Sequence, residues 1–174
     1  MQRIESIRRI IPGAGISTDI ITGFCSETDE EHQETLSIME WVVYDYAYMF
    51  KYSERPGTLA ANKYKDDIDE ATKARRLNEI IKQQSALSHK SNLQDIGKTF
   101  QVLVDGISKR SKEHLSGRTS QNKVVIFPKE NYVPGDLLEV KIIDCTPATL
   151  IGASFGRADV YTSNIPLVQT STRQ

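Results

Sequence analysis

The chain has 174 residues, 39% hydrophobic and 26% charged, the composition of a folded globular protein rather than a disordered one. No apolar run approaches the ~20 residues of a membrane span, and the start Met1-Gln-Arg-Ile-Glu-Ser-Ile-Arg-Arg lacks a signal-peptide core, so a cytoplasmic protein with no membrane partner is expected. A net charge of -1 gives nucleic acid no long-range pull and leaves that role to a local patch, while Cys25 and Cys145 fit neither a disulfide framework nor a metal-site spacing.

Ile4, Ile7 and Ile11 share one face of a predicted helix that Pro12-Gly13 ends. This helix has no N-cap, so its start frays or its turns continue from upstream. Ile16–Phe24 reads as a strand buried on part of both faces. Thr28-Asp-Glu-Glu31 is a capping box for the next helix, whose inward stripe is Leu36, Met39, Val42 and Val43. Tyr44–Tyr52 is a second strand, with Tyr44, Tyr46, Tyr48, Phe50 and Tyr52 on a face assigned to core packing and Asp45, Ala47, Met49 and Lys51 opposite. Strand, helix, strand makes a right-handed βαβ unit with parallel strands. Two parallel strands cannot cover their own faces, so this half is expected to be the end of a larger α/β domain.

A long helix is predicted over Asp66–Asn92, with Ile68, Ala71, Leu77, Ile80, Ile81, Gln84 and Leu87 near one face. Its opening acids Asp66, Asp67, Asp69 and Glu70 read as a dipole-matched first turn in preference to a catalytic carboxylate pair. Beyond Gly97 the period drops to two. Strands are expected at Thr99–Gly106, Lys123–Phe127, Leu137–Asp144 and Thr149–Ala153, which suggests a small antiparallel barrel of the oligonucleotide-binding kind. Its longest connection gathers Lys109, Arg110, Lys112, Arg118 and Lys123 against the single acid Glu113. These cations are either solvated surface or phosphate contacts, with Gln121 and Asn122 in reach of bases or ribose. The tail Ser154–Gln174 carries Val160, Ile165, Leu167 and Val168 without a clear period.

Gly23-Phe-Cys-Ser-Glu-Thr28 follows the C-terminal end of a parallel strand and enters a helix, a place where α/β sheets hold ligands and also an ordinary βα loop. Cys25 has no histidine placed to activate it and reads as structural, and Gly13-Ala-Gly15 precedes a strand where a dinucleotide fingerprint would open a helix.

Tyr52–Ala61 matches the pattern Tyr-Ser-x-Arg-Pro-Gly-Thr-x-Ala-Ala throughout, with Pro56 and Gly57 suited to a rigid turn out of the strand. Together with Ile11-Pro-Gly13, Ile16-Ser-Thr-Asp-Ile20, Gly23-Phe24 and Glu27-Thr28 upstream, it resembles the last strands of the methylthiotransferase family of radical S-adenosylmethionine enzymes. Val102-Leu-Val-Asp-Gly106, Ser108-Lys109, Gly117-Arg-Thr119, Asn122 and Leu150-Ile-Gly152 resemble that family's TRAM domain, a small β-barrel that holds tRNA. Arg55-Pro56 and Leu115-Ser-Gly-Arg-Thr119 are most similar to the members acting on isopentenyladenosine beside the anticodon. Members acting on threonylcarbamoyl-adenosine, and a stand-alone non-catalytic RNA-binding module, are the alternatives.

The resemblance implies the end of a radical S-adenosylmethionine partial barrel at residues 1–65, a linker helix at 66–92, a TRAM barrel at 93–155 and an unassigned tail at 156–174. It implies cofactor contacts at Gly23, Glu27 and Ser53, and tRNA anticodon stem-loop contacts at Arg55, Lys109, Arg110, Lys112, Arg118, Asn122 and Lys123. In the full-length family, S-adenosylmethionine and two 4Fe-4S clusters carry the reaction within an enzyme expected to be monomeric. Two departures stand out: Cys25-Ser26 replaces a Pro-Gly, and the cluster cysteines are absent. No catalytic residue and no metal ligand is therefore expected here, and the chain alone is expected to be inactive.

Overall fold

A computed structural model describes residues 1–158. The N-terminal half runs α1 (Gln2–Ile10), β1 (Ser17–Thr22), α2 (Asp29–Val42) and β2 (Tyr46–Lys51). Short α3 (Leu59–Lys63) and long α4 (Glu70–Leu93) follow. Helix α1 has no side-chain cap, as its sequence implies, and buries none of its residues. Its Arg8 guanidinium donates to the Val42 carbonyl at the end of α2. The Thr28 box forms as expected: its hydroxyl accepts from the Glu31 amide at 3.2 Å, and the Glu31 carboxylate accepts from the Thr28 amide at 2.9 Å.

β1 and β2 pair in parallel, from Ser17 with Tyr46 to Thr22 with Lys51. Helices α2 and α4 cover one face, where Ile20, Ala47, Met39, Ile80 and Leu87 form a core. Among the described residues no element covers the other face. Ile21, Tyr46, Tyr48 and Phe50 are 45–58% exposed, which corrects both the two-sided burial of the first strand and the core role of the aromatic face. Alternation separates two faces of a strand without saying which one is covered, and here the helices lie over the smaller side chains Ala47 and Met49.

Arg55-Pro-Gly-Thr58 is the expected rigid turn. The Arg55 carbonyl accepts from the Thr58 amide at 3.3 Å, with Gly57 at φ +82°, a conformation that costs glycine nothing. Thr58 then caps α3 through the Ala61 amide at 3.3 Å. Helix α4 starts later than predicted because Asp69 is its N-cap, accepting from the Thr72 amide at 2.9 Å. Its buried face keeps Ile80, Gln84 and Leu87 but leaves Ala71 and Ile81 outside, and Lys73, Arg76, Ser88 and Asn92 take the remaining buried positions.

The C-terminal half is a closed barrel of five strands in the order β3-β4-β5-β7-β6. These are β3 (Thr99–Ile107), β4 (His114–Thr119), β5 (Val124–Pro128), β6 (Leu137–Cys145) and β7 (Leu150–Arg157). Strand β4 falls inside what the sequence suggests is a loop, because Ser116, Gly117 and Arg118 dilute its apolar alternation to Leu115 alone. The barrel is also not wholly antiparallel: β5 and β7 run parallel, Val125 with Leu150 and Ile126 with Ile151, and that pair closes the ring. Strand β7 continues past Ala153 to Arg157, pairing with Leu138 of β6. Nine buried side chains, among them Val102, Leu115, Phe127, Leu138 and Ile142, fill the interior. The tail positions Val160, Ile165, Leu167 and Val168 lie outside the described residues.

Candidate functional site

Two groups of singled-out residues lie in different places. The first is at the C-terminal end of the parallel pair, where the Tyr52 amide donates to the Thr22 carbonyl and brings Gly23 and Ser53 to the same edge of the sheet. Gly23 has φ +72°, and a Cβ there would sit 2.5 Å from Cγ of Lys73, so the close approach of α4 excludes a side chain. The Gly23 amide donates to Oε2 of Glu27 at 2.5 Å, and Nη1 of Arg76 donates to the same oxygen at 2.8 Å. Glu27 is thereby turned toward α4, with only 13% of its side chain exposed.

Arg76 also reaches Asp29 at 2.9 Å. Burial pulls its guanidinium pKa down, but the Asp29 and Glu27 carboxylates outweigh that and hold it above its ordinary value. Lys73 follows the same logic: burial acts against its ammonium, and Asp66 at 2.6 Å with Glu70 at 3.3 Å raises it overall. The four opening acids thus all have structural partners, Asp67 accepting from the Ser26 amide and Asp69 capping α4. Lys73 and Arg76 are what the sequence reading misses here; their spacing of three on the apolar side of a helix is the available signal.

Ser53 and Arg55 are both exposed and line a hollow of about 430 Å³ with Ile21, Phe50 and Thr58. A second hollow, of about 410 Å³, is lined by Phe24, Cys25, Glu27 and Tyr64. Between the two stands Tyr52, packed edge-on to Phe24 with centroids 4.9 Å apart. Burial, then the neighbouring Cys25, pushes its phenol pKa up. Cys25 itself is buried and unpaired, consistent with a structural role.

The second group is basic, and β4 divides it. Lys109, Arg110 and Lys112 are exposed on the β3–β4 connection, which the Ser108 amide closes onto the His114 carbonyl at 2.9 Å. Arg118, Asn122 and Lys123 lie at the other end of the six-residue strand, about 17 Å away at 3.4 Å per residue. Arg118 points outward, its Nη1 donating to Oδ1 of Asn122 at 2.9 Å and its Nε 3.4 Å from Asp105. Lys123 turns inward, onto Asp95 at 2.7 Å and Ser91 at 2.9 Å. A cleft of about 240 Å³ separates this end of the barrel from the bare sheet face, with Tyr46, Tyr48, Arg118, Asn122 and Lys123 in its walls.

The residues do not fit an iron–sulfur cluster: the cysteines are two, one on the βα loop and one ending β6. Among the described residues no group of three or more His, Cys, Asp or Glu is placed to hold a metal ion, and no helix is long and apolar enough to cross a membrane.

Residues 94–154 match the family model of the TRAM domain. The chain is similar to proteins named tRNA-2-methylthio-N(6)-dimethylallyladenosine synthase. The one from Phocaeicola vulgatus is 56% identical over 152 residues, covering 87% of this chain and 33% of the relative. That from Parabacteroides distasonis is 58% identical over the same coverage, and that from Christiangramia forsetii is 54% identical over 156 residues, 90% of this chain and 32% of the relative. The chain thus spans about a third of the length of the curated relatives it matches. Over 87–90% of its residues the chain matches a C-terminal fragment of these synthases, and residues 94–154 within that match carry the TRAM domain.

Proposed function

We propose that this chain serves tRNA modification, as the part of a methylthiotransferase that binds tRNA and walls one side of the reaction site. The relatives are named for N(6)-dimethylallyladenosine, whose side group is the isopentenyl group, and we take that nucleoside beside the anticodon as the substrate. The observation that carries the reading is the TRAM match on a closed barrel with outward cations at both ends of β4. In this reading residues 1–65 end a radical S-adenosylmethionine core, 66–92 link, and 93–155 hold the anticodon stem-loop, within a monomeric cytoplasmic enzyme.

Lys109, Arg110, Lys112 and Arg118 meet phosphates, Asn122 contacts a base or ribose, and Arg55 meets RNA at the sheet's end. S-adenosylmethionine, when bound, supplies a 5′-deoxyadenosyl radical. Its fit to this chain is that of a partial wall, with Ser53 free at the rim. Gly23 and Glu27 are committed to one another and to Arg76, so their part is to hold the loop's shape. Both 4Fe-4S clusters must be ligated outside these residues.

The reading is tested on RNA and on activity. Arg110→Ala and Arg118→Ala should each weaken anticodon stem-loop binding and flatten the slope of log K against log salt by about 0.7–0.9. Unchanged slopes in both would remove the phosphate contacts. The chain alone, supplied anaerobically with iron, sulfide, reductant and S-adenosylmethionine, should leave tRNA unmodified. A methylthiolated product would refute the partial-wall reading.

A further inference from the structure

We infer that Lys123 is a positioning residue, the central cation of a buried joint that fixes the direction in which the barrel presents its RNA-facing cations. The inference deepens the RNA-binding reading and removes Lys123 from the phosphate contacts. Its ammonium lies 2.7 Å from Oδ2 of Asp95, 2.9 Å from Oγ of Ser91 and 3.6 Å from Oδ1 of Asp45. These side chains belong to three parts of the fold: the β4–β5 turn, the end of α4 with its following turn, and the residue before β2. The exposed fractions of Lys123, Asp95 and Asp45 are 11%, 8% and 23%, so the ammonium has little access to a phosphate.

The partners are themselves fixed. Oδ2 of Asp45 accepts from the Ile16 amide at 2.9 Å and its Oδ1 from Ser91 at 3.0 Å, while Oδ1 of Asp95 accepts from Lys98 at 3.0 Å. Two further pins share the load. Gln121 donates to the Gly13 carbonyl at 2.7 Å, and Asn92 donates to the Thr146 carbonyl at 2.9 Å on the β6–β7 turn. Two turns of the barrel, β4–β5 and β6–β7, are therefore tied to the α/β half. Only the Lys123 tie is ionic, and removing it leaves Asp45 and Asp95 without their shared cation in a site with little water. A barrel held this way meets RNA in one orientation and loses less freedom on binding than a tethered one.

The test pairs orientation with salt dependence in the full chain, using Lys123→Met and Asp45→Asn, the second neutralising the carboxylate on the α/β side of the joint. Residual dipolar couplings should give one common alignment tensor for both halves of the unmodified chain and two in each variant, while the Val125 and Phe127 amides stay protected. Anticodon stem-loop affinity should fall roughly tenfold in both variants with an unchanged salt slope. Asp45→Asn removes no cation from RNA, so its loss of affinity acts through orientation. It also keeps the test alive if Lys123→Met does not fold. A common tensor in Asp45→Asn overturns the joint, and so does a salt slope flattened by about 0.7–0.9 in Lys123→Met with orientation kept. If the unmodified chain binds no RNA, the functional reading fails while the couplings still decide the joint.

Discussion

The two halves of the molecule are held by different forces. The barrel interior is a ring of nine buried apolar residues closed on itself. The α/β half has a smaller apolar core and buries Lys73, Arg76, His32 and Gln84 along the helices that cover its sheet. Closure removes every open strand edge and lets short strands bury a core unaided. A pair of parallel strands has one covered face, and the helix over it is oriented here by ion pairs as much as by packing. The barrel is thus a self-sufficient unit, and the α/β half depends on the helix that joins the two.

The largest effect expected to break this contrast is in the barrel. Phe127 is fully buried, and Phe127→Ala should cost about 3–5 kcal/mol, seen in denaturant titration as a lost barrel transition. A loss under 1 kcal/mol would mean that the interior repacks freely. Next comes Arg76→Ala, which strands the largely buried Glu27 carboxylate and should cost about 3 kcal/mol. Hydrogen exchange should show that loss in α2, β1 and α4 with β3–β7 unchanged; equal loss in both halves would erase the distinction.

The smallest effect is in acid. Glu79 is held below its ordinary 4.5 by the contact with His32, against a smaller opposing effect of burial and with help from Arg75. Asp69 is held below 3.8 by Thr72. A lowered carboxyl pKa stabilises the fold above the unfolded value and ceases to do so as pH falls through the folded one. Asp29 and Glu70 of the α/β half are lowered as well, against Asp136 alone in the barrel, so the α/β half should loosen first as pH drops below about 4.5, in tryptophan fluorescence of Trp41 on α2. Simultaneous loss of the barrel amides would contradict this order.

What the sequence made legible follows the same division. Features set by neighbouring residues could be read directly: the Thr28 capping box, the Arg55-Pro-Gly-Thr58 reversal and the parallel βαβ order. Features set by distant partners could not. Tyr46, Tyr48 and Phe50 alternate like core residues, yet the helices chose the opposite face. Lys73 and Arg76 look like solvated helix charges until Asp66, Glu27 and Asp29 close on them. Among the candidate site residues, the outward positions of Lys109, Arg110, Lys112 and Arg118 agree with their chemistry. The inward turn of Lys123 depends on Asp45 and Asp95, far away in the chain.

The parallel pairing of β5 with β7 has a kinetic consequence. Neighbouring antiparallel strands of the barrel can form as local hairpins, but Val125 finds Leu150 only after β6 has been laid down and the chain has reversed again. Joining the β3–β4–β5 meander to the β6–β7 hairpin, across both β3–β6 and β5–β7, is therefore expected to be the late, slow step of barrel folding, since its loop entropy is spent before the contacts are gained. Until then β5 and β7 each keep one unpaired edge, and that interval is when the nascent chain is most open to pairing with the wrong strand.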